Sequence, residues 1–279
     1  MMATSNSKSD EEVKQDTSDS DGAILQAMQN QEIDEAIYAM HNQIQKDIAK
    51  ENELVSDKME IMQLQNEYAE DDAVYLQKVK ILSEKYSHVR KTRGDGNCFY
   101  RAFGFGYLEY LLQNKDCFSG FRAKASETKD KLEKLGYPSF TVEDFHDQFI
   151  SVVDSVGSGI TVEELLQTFR DEGISNYLVV YLRLVTSSHL QQNSEFFQNF
   201  VDEYRTVEDF CKGEVEPMDR ESDHIHIIAT TTALNLSIRV AYVDRTNSEE
   251  IIYHDFPEGS RPQLHLLYRP GHYDILYPR

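Results

Sequence analysis

The chain has 279 residues, 40% of them apolar, enough to bury a sizeable core in one large domain or two small ones. Its 49 acidic against 28 basic residues give a formal net charge of -21, which works against a nucleic-acid partner, whose phosphates would be repelled, and against an anionic membrane surface. Three widely spaced cysteines with no CxxC argue against a disulfide scaffold and fit a reducing cytosolic or nuclear compartment.

Residues 1–22 are rich in Ser, Asp, Glu and Lys and read as a disordered acidic tail. They lack the apolar region of a signal peptide, and no run in the chain reaches the roughly 18 apolar residues that span a bilayer. Residues 23–50 carry a helical stripe of Ile37, His41, Ile44 and Ile48, extended by Met40. So narrow a stripe fits a helix packed on a domain's flank or a partner-binding arm. Further helical stretches are expected over 55–68 and 72–86, and 51–279 is expected to form the main domain with flanking helices, its compact part starting near Tyr86.

Three segments repeat one helix-start signal: Thr141 to Asp144, Thr161 to Glu164 and Thr206 to Asp209. Each Thr suits an N-cap and each fourth-position acid can reach back to it, although Asp is shorter than Glu. A helix is expected over 176–190, with Leu178, Tyr181, Leu182 and Val185 facing inward. Another follows in SDHIHIIATTTAL, capped by Ser222 or Asp223, where Ile225, Ile228, Ala229 and Thr232 continue the period. Then the period changes. Strands are expected over 237–243, with Ile238, Val240 and Tyr242 on one face, and over 263–269 and 272–277 around a Pro270-Gly271 turn. Many helices followed by a few late strands indicate an α+β fold, helix-rich with a small, mostly antiparallel sheet.

Chemistry concentrates at Asp95-Gly96-Asn97-Cys98, between an extended segment and a helix whose apolar stripe includes Phe99, Ala102 and Phe103. Cys98 would open that helix beside unpaired N–H groups, which favour an anionic sulfur and would stabilise an oxyanion. The bland alternative is inert packing at a helix start. A cysteine nucleophile needs a base and the base an orienter. His272 directly follows the Pro-Gly turn, and Asp274, two residues on, shares its face of a strand; a merely polar strand edge would carry the same pattern. His224 and His226, if helical, point about 200° apart and cannot share one ion. Cys117 and Cys211 lack the Gly-rich approach and read as structural. With no Walker loop, dinucleotide fingerprint or HExxH, neither a cofactor nor a metal is expected.

The segments DGNCFYRAFG, ESDHIHIIA and YRPGHYDILY, with YAEDD at Tyr68 to Asp72 and FHDQF at Phe145 to Phe149, resemble the otubains, ovarian-tumour-type (OTU) cysteine proteases that remove ubiquitin. The similarity runs from about residue 30 to the C-terminus. It implies a papain-like OTU domain with Cys98 as nucleophile, His272 as general base and acid, and Asp274 as orienter. Asp95 would belong to the loop whose backbone helps form the oxyanion hole. Gly94 stands where the family pattern has proline. The long N-terminal region is similar to that of the longer otubain type. That likeness implies a preference for lysine-48-linked ubiquitin chains and a ubiquitin-contacting arm at Ile37–Ile48. It also implies binding of ubiquitin-charged conjugating enzymes to block transfer, and roles in the cytoplasm and in nuclear DNA-damage signalling. The alternative is a mainly non-catalytic inhibitor of those conjugating enzymes.

Overall fold

The computed structural model describes residues 33, 36, 37, 39, 40, 43, 47, 52–69, 71–246 and 250–279. The chain divides into two compact units, 1–50 and 51–279. In the first, all seven described residues are helical, Gln43 donates to the Asp47 carboxylate one turn on at 3.0 Å, and the Ile37 side chain is exposed. His41, Ile44 and Ile48 of the predicted stripe, and the predicted tail, lie outside the described residues.

In the second unit six described strands form one sheet: β1 (Met59–Glu60), β2 (Tyr86–Arg90), β3 (Ile238–Tyr242), β4 (Ile252–Phe256), β5 (Leu264–Arg269) and β6 (His272–Pro278). Their order is β1-β2-β6-β5-β3-β4, and all neighbours are antiparallel except β3 and β5. The helices are α1 (Ala73–Lys85), α2 (Cys98–Gln113), α3 (Phe118–Lys134), α4 (Ser139–Gly157), α5 (Val162–Arg170), α6 (Glu172–Gln192), the single turns α7 (Ser194–Phe197) and α8 (Val207–Phe210), and α9 (His224–Leu234). This is the expected helix-rich α+β fold. None of the described helices is long and apolar enough to cross a membrane.

The strand period of two gives the sheet two buried faces. Val240, Leu266 and Ile275 point into the larger core with Phe99, Phe103 and Leu182. Val89, Ala241, Leu267 and Leu276 point the other way, onto Ile61 and Leu64 of a short 3-10 helix and Val79 and Leu82 of α1. Each Val, Leu, Ile or Phe among them contributes roughly 1.5–3 kcal/mol by leaving water. The sheet is thus clamped between α1 on one face and the helical layer led by α2 on the other.

Several expectations need correction. Residues 55–68 do not form the predicted helix: Val55 bridges to Thr92 and Met59 pairs with Val89, so pairing with a distant segment overrides local periodicity. Only Ile61–Glu67 turns, as a 3-10 helix burying Ile61 and Leu64, a spacing that matches three residues per turn. Thr141 is not a cap, because α4 starts earlier, with Pro138 at its N-cap. The signal at Thr161 is a full capping box: Thr161 Oγ1 accepts from the Glu164 N–H at 3.2 Å and Glu164 accepts from the Thr161 N–H at 2.8 Å. At Thr206 the shorter Asp209 carboxylate meets the Thr206 hydroxyl at 2.8 Å instead of the backbone. In α9, capped by Asp223, Ile228 and Thr232 are exposed while Ile227, Thr230, Thr231 and Leu234 are buried. Apolar residues surround that helix, so their spacing does not single out the inner face.

Candidate active site

Cys98 is the first residue of α2, with Asn97 at the N-cap, and its side chain is buried against the core. The first-turn N–H groups of a helix have no intrahelical acceptor, so the sulfur sits at a cluster of donors. The loop before it turns at Gly96, with φ at +76°, and a Cβ there would lie 2.3 Å from the Asp219 carbonyl oxygen. Only glycine fits that left-handed, crowded position.

Two buried arginines hold this loop. Arg101, from α2, donates through Nη1 to both oxygens of Asp95 at 2.9 Å, and Asp95 Oδ1 also accepts from the Asn97 N–H at 3.0 Å. Arg101 is anchored in turn on Ser175 Oγ at 3.1 Å and Asn176 Oδ1 at 3.3 Å. Arg183, from α6, donates through Nη2 to the Gly96 carbonyl at 3.0 Å, to Asn97 Oδ1 at 2.9 Å and to the Arg220 carbonyl at 2.7 Å. Its Nη1 reaches the Val215 carbonyl at 3.0 Å. The Asn97 amide completes the link by pairing with Asp219, accepting from its N–H at 3.0 Å and donating to its carboxylate at 2.9 Å. The Asp95 carboxylate is therefore engaged inside the loop and shapes it. Gly94 needs no proline-like stiffness to keep the loop in place, and a Cβ there would make an ordinary 3.6 Å contact with His272 Nδ1.

His272 opens β6 after the two-residue Pro270-Gly271 link, and the β5–β6 register sets Arg269 opposite His272 and Leu267 opposite Asp274. His272 Nε2 lies 2.9 Å from Asp274 Oδ1. Asp274 has no exposed surface; its Oδ1 also accepts from the Thr92 N–H at 3.0 Å and its Oδ2 from Arg269 Nη2 at 2.5 Å. Thr92 is fixed by donating its hydroxyl to the Tyr273 carbonyl at 2.5 Å. The segment carrying Asp219 touches this side too: the Tyr273 hydroxyl donates to the Ser222 carbonyl at 3.2 Å, and Glu221 Oε1 would lie 3.1 Å from a Cβ on Gly271.

The electrostatics follow from this geometry. Burial pulls the His272 imidazole toward its neutral form, but the hydrogen bond and charge of Asp274 outweigh it, with hydrogen bonding and charge from Cys98 adding to them, and the pKa rises to about 10. Burial works against the Asp274 carboxylate, yet His272, Arg269 and the Thr92 N–H hold it below its usual range. At neutral pH the pair is an imidazolium on a buried carboxylate. With the Asp274 side of the ring on Nε2, Nδ1 is left toward the Cys98 loop. A sulfur at a helix start, a proton donor beside it and an oriented carboxylate behind are the parts of acyl transfer through a thioester.

The other sequence candidates behave differently. His224 and His226 do lie on a helix. His224 stacks on Tyr242, whereas His226 is buried, accepts from the Asp223 N–H at 3.0 Å and is lowered to about 4 by burial. Cys211 is buried, which pushes its thiol up to about 12, and Cys117 sits 3.9 Å from the Tyr110 hydroxyl. Thr92, Arg183 and Arg269 were missed, and Arg101, which near Cys98 in the sequence suits a substrate contact or a surface charge, is instead fully buried on Asp95. Arg269 was within reach, since a two-residue hairpin link places it opposite His272. For Arg101 and Arg183 the signal was a charge inside an apolar helical stripe, as in YLRLV.

The chain also has relatives among known proteins. The family model described as Peptidase C65 Otubain matches residues 47–278. The human protein named ubiquitin thioesterase OTUB1 is 53% identical over 244 residues, covering 88% of this chain and 90% of that protein. An Arabidopsis thaliana protein named OVARIAN TUMOR DOMAIN-containing deubiquitinating enzyme 1 is 41% identical over 247 residues, covering 81% of each. Among solved structures, the h/ceOTUB1–ubiquitin aldehyde–UBCH5B~Ub complex aligns with a TM-score of 0.84 at 39% identity, covering 88% of this chain and 98% of that one.

Proposed function

This chain belongs to the otubain family and is a cysteine deubiquitinase, and from that premise we propose that it hydrolyses isopeptide bonds through Cys98, His272 and Asp274, with a preference for lysine-48-linked ubiquitin chains. The Cys98 sulfur, its proton passed to His272, attacks the carbonyl carbon joining a ubiquitin C-terminus to a lysine side chain. The oxyanion is met by N–H groups at the start of α2, in the loop that Asp95 shapes. His272, held as an imidazolium, gives a proton to the departing lysine amine. Water then attacks the thioester with His272 as base, releasing the ubiquitin carboxylate and restoring the thiol. The main support is the half-buried His272 on the buried Asp274 carboxylate, 2.9 Å apart, with Cys98 close enough to raise the imidazole's pKa.

The same chain binds ubiquitin-charged conjugating enzymes and restrains their transfer, with residues 23–50 as the contacting arm. Support comes from the 39%-identical complex that contains both ubiquitin aldehyde and UBCH5B~Ub. Linkage preference is tested on a panel of ubiquitin dimers, one per linkage, with Cys98→Ala as control. Cleavage of the lysine-48 dimer alone, abolished in the variant, is expected. Equal cleavage of several linkages would remove the preference, and cleavage retained in Cys98→Ala would remove the nucleophile.

A further inference from the structure

Asp274 divides its two oxygens between different partners. Oδ1 faces His272 Nε2 and the Thr92 N–H, at 2.9 and 3.0 Å. Oδ2 takes Arg269 Nη2 at 2.5 Å. The Asp274 side chain is fully buried, so no solvent reaches it to replace a missing donor, and a buried carboxylate oxygen left without one is costly.

Arg269 is itself held from outside the sheet. Its Nη1 donates to Glu67 Oε2 at 2.7 Å and to the Tyr68 hydroxyl at 3.3 Å. The Tyr68 ring stacks on Tyr75 of α1 with centroids 4.4 Å apart, and Glu67 is also paired with Lys91 at 3.1 Å. Glu67 ends the 3-10 helix and Tyr68 opens the YAEDD segment, to which nothing in the reaction above gives a role. A continuous polar chain thus runs from Lys91 through Glu67, Arg269 and Asp274 to His272. The ionisable groups facing Arg269 are Asp274, Glu67 and Tyr68; those facing Asp274 are Arg269 and His272, with Cys98 beyond the ring.

We propose that Arg269 is a positioning residue for the reaction: it locks the rotation of the Asp274 carboxylate so that Oδ1 stays on His272, and the Glu67–Tyr68 corner locks Arg269. This rests on the assignment of Cys98, His272 and Asp274 to the chemistry. It makes the segment 61–68, remote in sequence from all three, a support of the catalytic geometry.

The test uses the full chain and two readouts against pH: the rate at which ubiquitin bearing a C-terminal electrophile labels Cys98, and kcat and KM for a cleaved ubiquitin dimer. Arg269→Gln is expected to lower kcat by roughly 10- to 100-fold, the scale of a misplaced catalytic group, with KM little changed. The acid limb of its profile should move to higher pH, because Asp274 loses a positive partner. Arg269→Lys should restore part of both, and Glu67→Gln should move both in the same direction by less. A folded Arg269→Gln protein with the unaltered rate and profile overturns the proposal. So does a pH-independent loss that Arg269→Lys does not relieve. Should Arg269→Gln fail to fold, an unchanged profile in Glu67→Gln overturns it instead. Failure of the unaltered protein to label at Cys98 would overturn the catalytic assignment itself, a result distinct from labelling that is indifferent to Arg269.

Discussion

The two sides of the site are held in different ways. His272 and Asp274 sit on one strand, in a register set by a two-residue hairpin link, and the strand period alone puts them on one face. Cys98 follows a loop with no regular structure, whose shape comes from side chains of α2 and α6 and from the segment around Asp219. The strand side is positioned by backbone pairing and trimmed by Arg269. The loop side is positioned by buried guanidinium groups capping carbonyls and a carboxylate. Losing Arg269 or Arg101 leaves a buried carboxylate short of a donor, so damage to either side should cost stability as well as rate, and damage to the first should in addition move the pH profile.

The largest effect that separates the two is expected on the strand side. His272→Ala should lose roughly 10²–10⁴-fold in kcat/KM, the range for a general acid–base group. Asp274→Asn should lose less, because orientation is easier to replace than proton transfer. Steady-state cleavage of a ubiquitin dimer checks both, and equal losses would mean that the carboxylate does more than orient. On the loop side, Arg101→Met leaves Asp95 buried without its charge partner, so about 3–5 kcal/mol of stability should go, read from urea denaturation. A loss below about 1 kcal/mol, the scale of an exposed pair, would show that the loop does not depend on this ion pair.

The same contrast explains what could be read from the sequence. The His272–Asp274 relation is local, two residues on a strand after a turn, and Cys98 was marked by glycines running into an apolar helix. The long-range ties were hidden. Arg183 reaches the Cys98 loop across 87 positions and Glu67 reaches Arg269 across 202. A sequence shows that a charge interrupts an apolar stripe but not which carbonyl it will meet. Residues 55–68 were misjudged for a related reason, since Val55, Met59 and Glu60 pair with partners among residues 88–92. Strand β4 was overlooked because it lies at the sheet edge, where Ile252 stays exposed and the adjacent polar residues His254 and Asp255 break the apolar–polar alternation of a strand. Thr161, Thr206 and Asp223 cap their helices as the sequence indicates, and the signal fails at Thr141, where the helix begins earlier.

The most direct test of the account is an NMR titration of the His272 imidazole in the unaltered chain and in Asp274→Asn. Asp274 and Cys98 together hold the ring protonated up to about pH 10, so the unaltered chain should show an imidazolium throughout the neutral range, losing its proton only as the pH rises through that value. Asp274→Asn should titrate well below it. A ring that titrates near 6.5 in both proteins would contradict the claim that the two sides of the site converge on His272.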